Sequence, residues 1–153
     1  MLRISKLTDY GTVVLAELAR AESGLVSAAD IAGATGLGLP TVSKLLKMLA
    51  RAGLVSSVRG PRGGYRLARE PGKITAAAVI DALEGPVSIT ECSAHGSRCD
   101  IEASCRVGIS WQRINLAIRS ALDEISLADL LRAESPPPRF RFANTRITVE
   151  RKR

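Results

Sequence analysis

The stretch LPTVSKLLKMLARAGLVSSVRGPRGGYRLA, residues 39–68, changes texture half-way along. Its first half carries Val42, Leu45, Leu46 and Leu49 at helical spacing, with Pro40 in the first turn and Gly53 where a helix C-terminus favours glycine. Its second half sets two β-prone runs, Leu54–Val58 and Tyr65–Ala68, around a turn of Gly, Pro and Arg. The spacing predicts a helix followed at once by a hairpin with a basic tip. Just upstream, SAADIAGATG opens on Ser27, a good N-cap, with Asp30 three residues on in capping-box position. Ile31 and Ala32 face inward on that short helix, and the Gly36–Gly38 pair ends it. Two short helices joined by a glycine turn, then a basic hairpin, make a winged helix-turn-helix. An ordinary α+β fragment with a chance turn is the competing reading. The order of elements and the charge at both expected contact points favour the former.

Working outward, Ile4, Leu7, Val14, Leu15 and Leu18 predict a first helix, interrupted by Gly11 and stopped at Gly24. Downstream, ITAAAVIDALEG predicts another helix, ending near Gly85–Pro86. From Arg106 a longer helix begins, with Val107, Trp111, Ile114, Ile118, Ala121 and Ile125 spaced 4, 3, 4, 3 and 4. That alternation is the a/d seam of a coiled coil. A helix packed on its own domain can show the same seam, but regulators of this type read paired half-sites as dimers, which favours a homodimer. The SPPP at Ser135–Pro138 cannot continue a helix and reads as a linker. The fold class is therefore mainly α with a small β-hairpin: a winged helix-turn-helix plus a long dimerisation helix. The organisation expected is a DNA-binding domain over 1–85, a loop over 86–106, the dimerisation helix region over 107–131 and a basic tail over 132–153.

Charge agrees with a polyanionic partner. The 153 residues carry a net charge of +7, and the tail from Arg139 onward holds six cations against one anion. Such a tail reads as a solvated, mobile segment or a short strand. No signal peptide opens the chain and no run approaches the roughly 20 apolar residues of a membrane span, so a cytoplasmic protein is expected. In the major groove, the first residues of the second helix meet base edges: Thr41, Ser43 and Lys44, with Lys47 one turn on. Thr41 and Ser43 suit many bases, whereas Lys44 and Lys47 suit phosphate. Arg59 and Arg62, on a tip slimmed by glycines, suit a narrow minor groove. Five aromatic residues are too few for a single-strand binder built on base stacking, so the expected partner is a double-stranded operator. With one histidine, no nucleophile–base pair and no phosphate-cradling glycine loop, enzymatic turnover of a small-molecule substrate is not expected.

All three cysteines and the single histidine fall in ECSAHGSRCDIEASC, residues 91–105. An odd count argues against a complete disulfide framework. Cys92, Cys99 and Cys105 lack the close pair usual in structural zinc sites. Their irregular spacing suits the wider iron–sulfur cluster better, with a fourth position to be filled from elsewhere. His95 is the nearby candidate. Three merely reduced thiols, and direct switching by cysteine oxidation, stay open on the residues alone.

MLRISKLTDYGTVVLAELA at the start, the wing GLVSSVRGPRGGYRLA, the stretch ITAAAVIDALEGP and the cysteine loop followed by WQRINLAIRSALDEISLADLL resemble the bacterial winged-helix iron–sulfur regulators. That family includes the IscR, NsrR and RirA types and the branch controlling the Suf cluster-assembly operon. The resemblance runs from Met1 to about Leu131 and leaves out the tail. It implies a homodimeric transcription factor, a repressor of cluster-assembly, iron or redox-response genes, holding a [4Fe–4S] or [2Fe–2S] cluster through Cys92, Cys99 and Cys105. The IscR pattern places a histidine three residues after the last cysteine, where this chain has Gly108. The NsrR pattern takes an aspartate from the opening stretch of the partner subunit, and Asp9 falls on that position. Asp9 is thus the implied fourth ligand, with His95 its competitor, which moves the cluster type towards [4Fe–4S].

Overall fold

Among the described residues, the first five α-helices and the two-stranded wing follow one another in the order that the sequence predicts, and a short sixth helix follows that it does not. The structure, a computed structural model, describes residues 4–21, 24–93, 99, 105–132, 141–142 and 145–146. α1 (Lys6–Arg20) starts at Ser5, whose hydroxyl accepts from the Leu7 and Thr8 amides. α2 (Ala28–Thr35) is capped by Ser27 through the Asp30 amide and ends on Gly36 at φ 71°, a left-handed turn that costs glycine nothing. α3 (Leu39–Arg51) carries Pro40 in its first turn, as the sequence indicates. β1 (Val55–Val58) and β2 (Gly64–Leu67) pair antiparallel, with Val55 opposite Leu67 and Val58 opposite Gly64.

One pairing was not legible in the sequence. The Val26 amide donates to the Tyr65 carbonyl at 2.9 Å and the Tyr65 amide to the Val26 carbonyl at 2.8 Å. This single bridge pins the wing to the turn before α2. A Cβ on Gly64 would stand 2.9 Å from the Val26 carbonyl oxygen, so glycine there is what lets the two backbones meet.

The core gathers Val14, Leu15 and Leu18 of α1, Ile31 of α2 and the α3 stripe Val42, Leu45, Leu46 and Leu49, all buried. α4 (Ala76–Leu83) adds Val79 and Leu83. Gly11, which the sequence presents as an interruption, has a positive role. A Cβ there would collide with Cδ1 of Leu83 and meet Leu45 at 3.6 Å, so the glycine admits α4 against α1. Gly11→Ala should therefore destabilise the fold. Overpacking costs about 1–3 kcal/mol, against a gain of up to about 1 kcal/mol in helix propensity. The urea midpoint should fall; an unchanged or raised midpoint would show that Leu83 moves aside freely.

α5 (Gly108–Asp123) is shorter than its apolar stripe. The chain turns at Glu124, and α6 (Leu127–Leu131) starts on a complete capping box between Ser126 and Asp129. Ile125 consequently lies beyond the helix, where its carbonyl accepts from the Ala76 amide at 2.8 Å. The neighbouring Leu127 amide donates to the Ile74 carbonyl at 2.7 Å, and Leu127 itself is fully buried in the main core. In the tail, β3 (Arg141–Phe142) pairs antiparallel with β4 (Thr145–Arg146). The mobility expected of the tail concerns residues outside the described ones.

Candidate nucleic-acid interface and cysteine site

The helix-turn-helix leaves one face of α3 free of the core. Lys44 and Lys47 are exposed on it, and Thr41 and Ser43 are half-buried beside them. The α3 N-terminus has no side-chain cap: Gly38 occupies the cap position and its hydrogen bonds come from backbone alone. Amides at such an end carry partial positive charge and suit an anion. The wing projects Arg59 and Arg62, both exposed, on a tip whose bend uses Gly60 at φ 117°. The Gly63 amide closes the tip on the Gly60 carbonyl at 2.9 Å, and a Cβ at Gly63 would collide with the Val58 carbonyl oxygen. Only glycine keeps that tip slim. A cation missed in the sequence also belongs to the wing: Arg66, exposed on β2, donates from Nε to the Ser56 hydroxyl across the strand pair at 3.3 Å.

The cysteine segment joins this DNA-binding unit to α5. A single 3₁₀ turn, Glu91–Ser93, carries Cys92. Cys99 and Cys105 are half-buried thiols, and His95 lies outside the described residues. Among the described residues no three His, Cys, Asp or Glu side chains converge on a point. A Cβ on Gly108 would stand 3.7 Å from Sγ of Cys105, so a side chain at position 108 would sit against the thiol. Asp9 is exposed in the first turn of α1, on the surface rather than turned to its own core.

Two polar clamps fix this segment, and neither was legible in the sequence. Asn115, buried within α5, accepts from the Ile89 amide and donates to the Val87 carbonyl, each at 3.2 Å. It holds the irregular stretch leading into the cysteines against the helix leaving them. At the other end, Glu84 accepts from the Thr8 hydroxyl and from the Ser5 amide, tying the end of α4 to the start of α1. The Thr8 hydroxyl, then Ser5, holds the Glu84 carboxyl below its ordinary value, so it is ionised at neutral pH. Arg119 further staples α5 to α4 through a two-pronged contact with Asp81, at 3.2 and 2.6 Å.

A family model described as iron-dependent transcriptional regulators, Rrf2, matches residues 4–133. The chain belongs to the Rrf2 family. The HTH-type transcriptional regulator IscR of Aliivibrio salmonicida is 39% identical over 131 residues, covering 82% of this chain and 77% of that one. Among solved structures, CymR, the global cysteine regulator of B. subtilis, superposes with a TM-score of 0.66 at 36% identity, covering 88% of this chain and all of CymR. IscR of T. potens superposes at 0.62 with 35% identity, over 86% of this chain and 87% of its own. As an Rrf2 protein the chain is a transcriptional regulator and not an enzyme, and its winged-helix fold is the fold of these relatives. Among the described residues, no helix is long and apolar enough to cross a membrane.

Proposed function

We propose that this Rrf2 protein is a cytoplasmic homodimeric repressor of cluster-assembly, iron or redox-response genes, whose operator affinity follows an iron–sulfur cluster. What supports the reading is membership of the Rrf2 family, described as iron-dependent regulators, in a chain whose three cysteines all fall between residues 92 and 105. The last cysteine and position 108 abut at the start of the helix that leaves the cysteine segment. Cys92, Cys99 and Cys105 would hold the cluster, with Asp9 of the partner subunit as fourth ligand. The cluster would supply a group that oxygen, nitric oxide or iron shortage can alter. The residues of the chain do the rest. Lys44, Lys47, Arg59 and Arg62 bind the duplex. The Asn115 clamp conveys any shift of residues 87–89 to α5, and the Glu84 clamp conveys any shift at the end of α4 to α1.

Native mass spectrometry without oxygen tests the reading, since it reports cluster mass and dimer state together. A second reading is favoured by the likeness to the oxidised form of Staphylococcus aureus CymR, with a TM-score of 0.61 at 29% identity. It is direct switching by cysteine oxidation, and it would show as oxygen adducts or a disulfide with no iron.

The DNA interface has its own test. Removing Arg59 should cost about 1–3 kcal/mol of operator affinity at fixed salt, because a groove-inserted arginine has no substitute at a slim tip. Lys47→Ala should mainly reduce the slope of log affinity against log salt by about one, since it releases one counterion fewer. Unchanged affinity in the Arg59→Ala protein sinks the wing assignment.

A further inference from the structure

Among the described residues, two apolar surfaces are left without a cover. One is the outer stripe of α5, where Val107 is 57%, Trp111 40% and Ile114 44% exposed. The other is a groove of about 550 Å³ between the end of α4, the 85–89 segment and α5, lined by Ile4, Ile80, Val87, Ile89, Ile118 and Leu122. They meet at Ile118, which continues the stripe and also lines the groove. A second copy laid on the stripe is therefore led into the groove.

Resting on the homodimer reading, we propose that Trp111 of each subunit inserts into this groove of the other. A two-fold axis makes contacts reciprocal, so a residue facing a partner position is faced in return. In an antiparallel α5 pair crossing near Ile114, Trp111 lies opposite position 117 or 118, two turns along the helix at about 1.5 Å per residue. That is the groove wall. A stable interface needs about 1,200 Å² or more in total, so a pair seated on the stripe gains from any adjoining apolar surface it can also cover. Trp111 is 40% exposed, and the groove can cover what a flat helix pair would leave open of it. Its indole N–H also needs a partner once buried, and the Glu84 carboxylate and Ser88 on the groove rim can accept it. The proposal reaches the sensory segment, because the groove is built from the Val87–Ile89 stretch that Asn115 holds and from the Glu84 that holds α1. Dimer contact and the path into the cysteines share one surface.

Trp111 is the only tryptophan in the chain, so its own fluorescence reads the groove. The full-length protein is followed from micromolar to nanomolar concentration by emission maximum and acrylamide quenching, with sedimentation velocity giving the mass. The expected result is a blue-shifted, poorly quenched dimer whose emission moves red as it dissociates. Ile4→Asp, a change at the exposed groove lip, should weaken the dimer at least tenfold and raise quenching in whatever dimer remains. Ile89→Asp should do the same, with melting by circular dichroism as the check on folding. A dimer whose tryptophan is as quenchable as in the monomer overturns the inference and leaves the dimer standing. So does a blue-shifted dimer indifferent to both groove variants. If removal of residues 133–153, with Phe140 and Phe142, uncovers the indole instead, the groove belongs to the tail and the inference fails. A monomer at every concentration overturns the dimer reading itself.

Discussion

Cys105→Ser protein, purified and reconstituted without oxygen, should come out colourless and iron-free. Three thiolates hold the proposed cluster and none is spare, since Cys92, Cys99 and Cys105 are the only cysteines in the chain. A serine hydroxyl is a hard, weakly acidic donor in place of a soft thiolate, and soft ligands are what select iron–sulfur clusters. The loss should be all or none in visible absorption and in native mass, with the operator affinity of the variant equal to that of the cluster-free wild type. Retention of a wild-type cluster mass would sink the ligand set. Asp9→Ala should act more mildly: on the proposed ligand set the carboxylate bond would be the labile one of four, so the cluster should assemble but decay faster in air. His95→Ala is the control. Should it shorten the cluster lifetime while Asp9→Ala leaves it unchanged, the fourth position belongs to His95.

Ile118→Glu should convert the dimer into monomers and abolish cooperative operator binding. A carboxylate buried without a partner costs about 3 kcal/mol or more, and a two-fold interface counts the change twice. At tenfold per 1.4 kcal/mol, the dissociation constant should rise on the order of 10⁴-fold. Ile118 is also half-buried in its own subunit, so the variant damages the groove as well as the seam. Ile114→Glu separates the two, because Ile114 is 44% exposed and is not among the residues that line this groove. Sedimentation velocity decides: an Ile114→Glu protein that stays dimeric places the seam elsewhere on α5.

Much of the fold was legible because its signals are local. Ser27, Pro40, Gly36 and Gly53 announce helix ends by cap chemistry acting within four residues, and the α3 stripe announces burial by its period. The wing tip was legible for the same reason, since Gly60 and Gly63 are required by the bend itself. What escaped depends on residues far apart in the chain. The Val26–Tyr65 bridge involves one residue on each side, too short a run to show an alternating pattern. Glu84 reads as a solvated helix end until Thr8 and Ser5 are seen beside it. Asn115 could have been noticed, as an amide among the apolar neighbours Ile114 and Leu116, but its backbone partners could not. The seam shows the opposite error. Periodicity carried it to Ile125, and a competing local signal, the Ser126–Asp129 capping box, broke the helix first.

Leu127 has a consequence for how the protein comes into being. It is fully buried in the same core as Leu15, Leu45 and Leu46, and its amide is tied to Ile74. Synthesis runs from the N-terminus, and domains tend to fold as they emerge. This core, however, stays open on one side until residue 127 has been made, after all three cysteines and the whole of α5. A nascent chain therefore completes the core of its helix-turn-helix only after the cysteine segment has been made. Ribosomal pausing or premature termination anywhere between Gly85 and Ser126 yields an incomplete core, prone to proteolysis, instead of a constitutive DNA binder that has lost its signal.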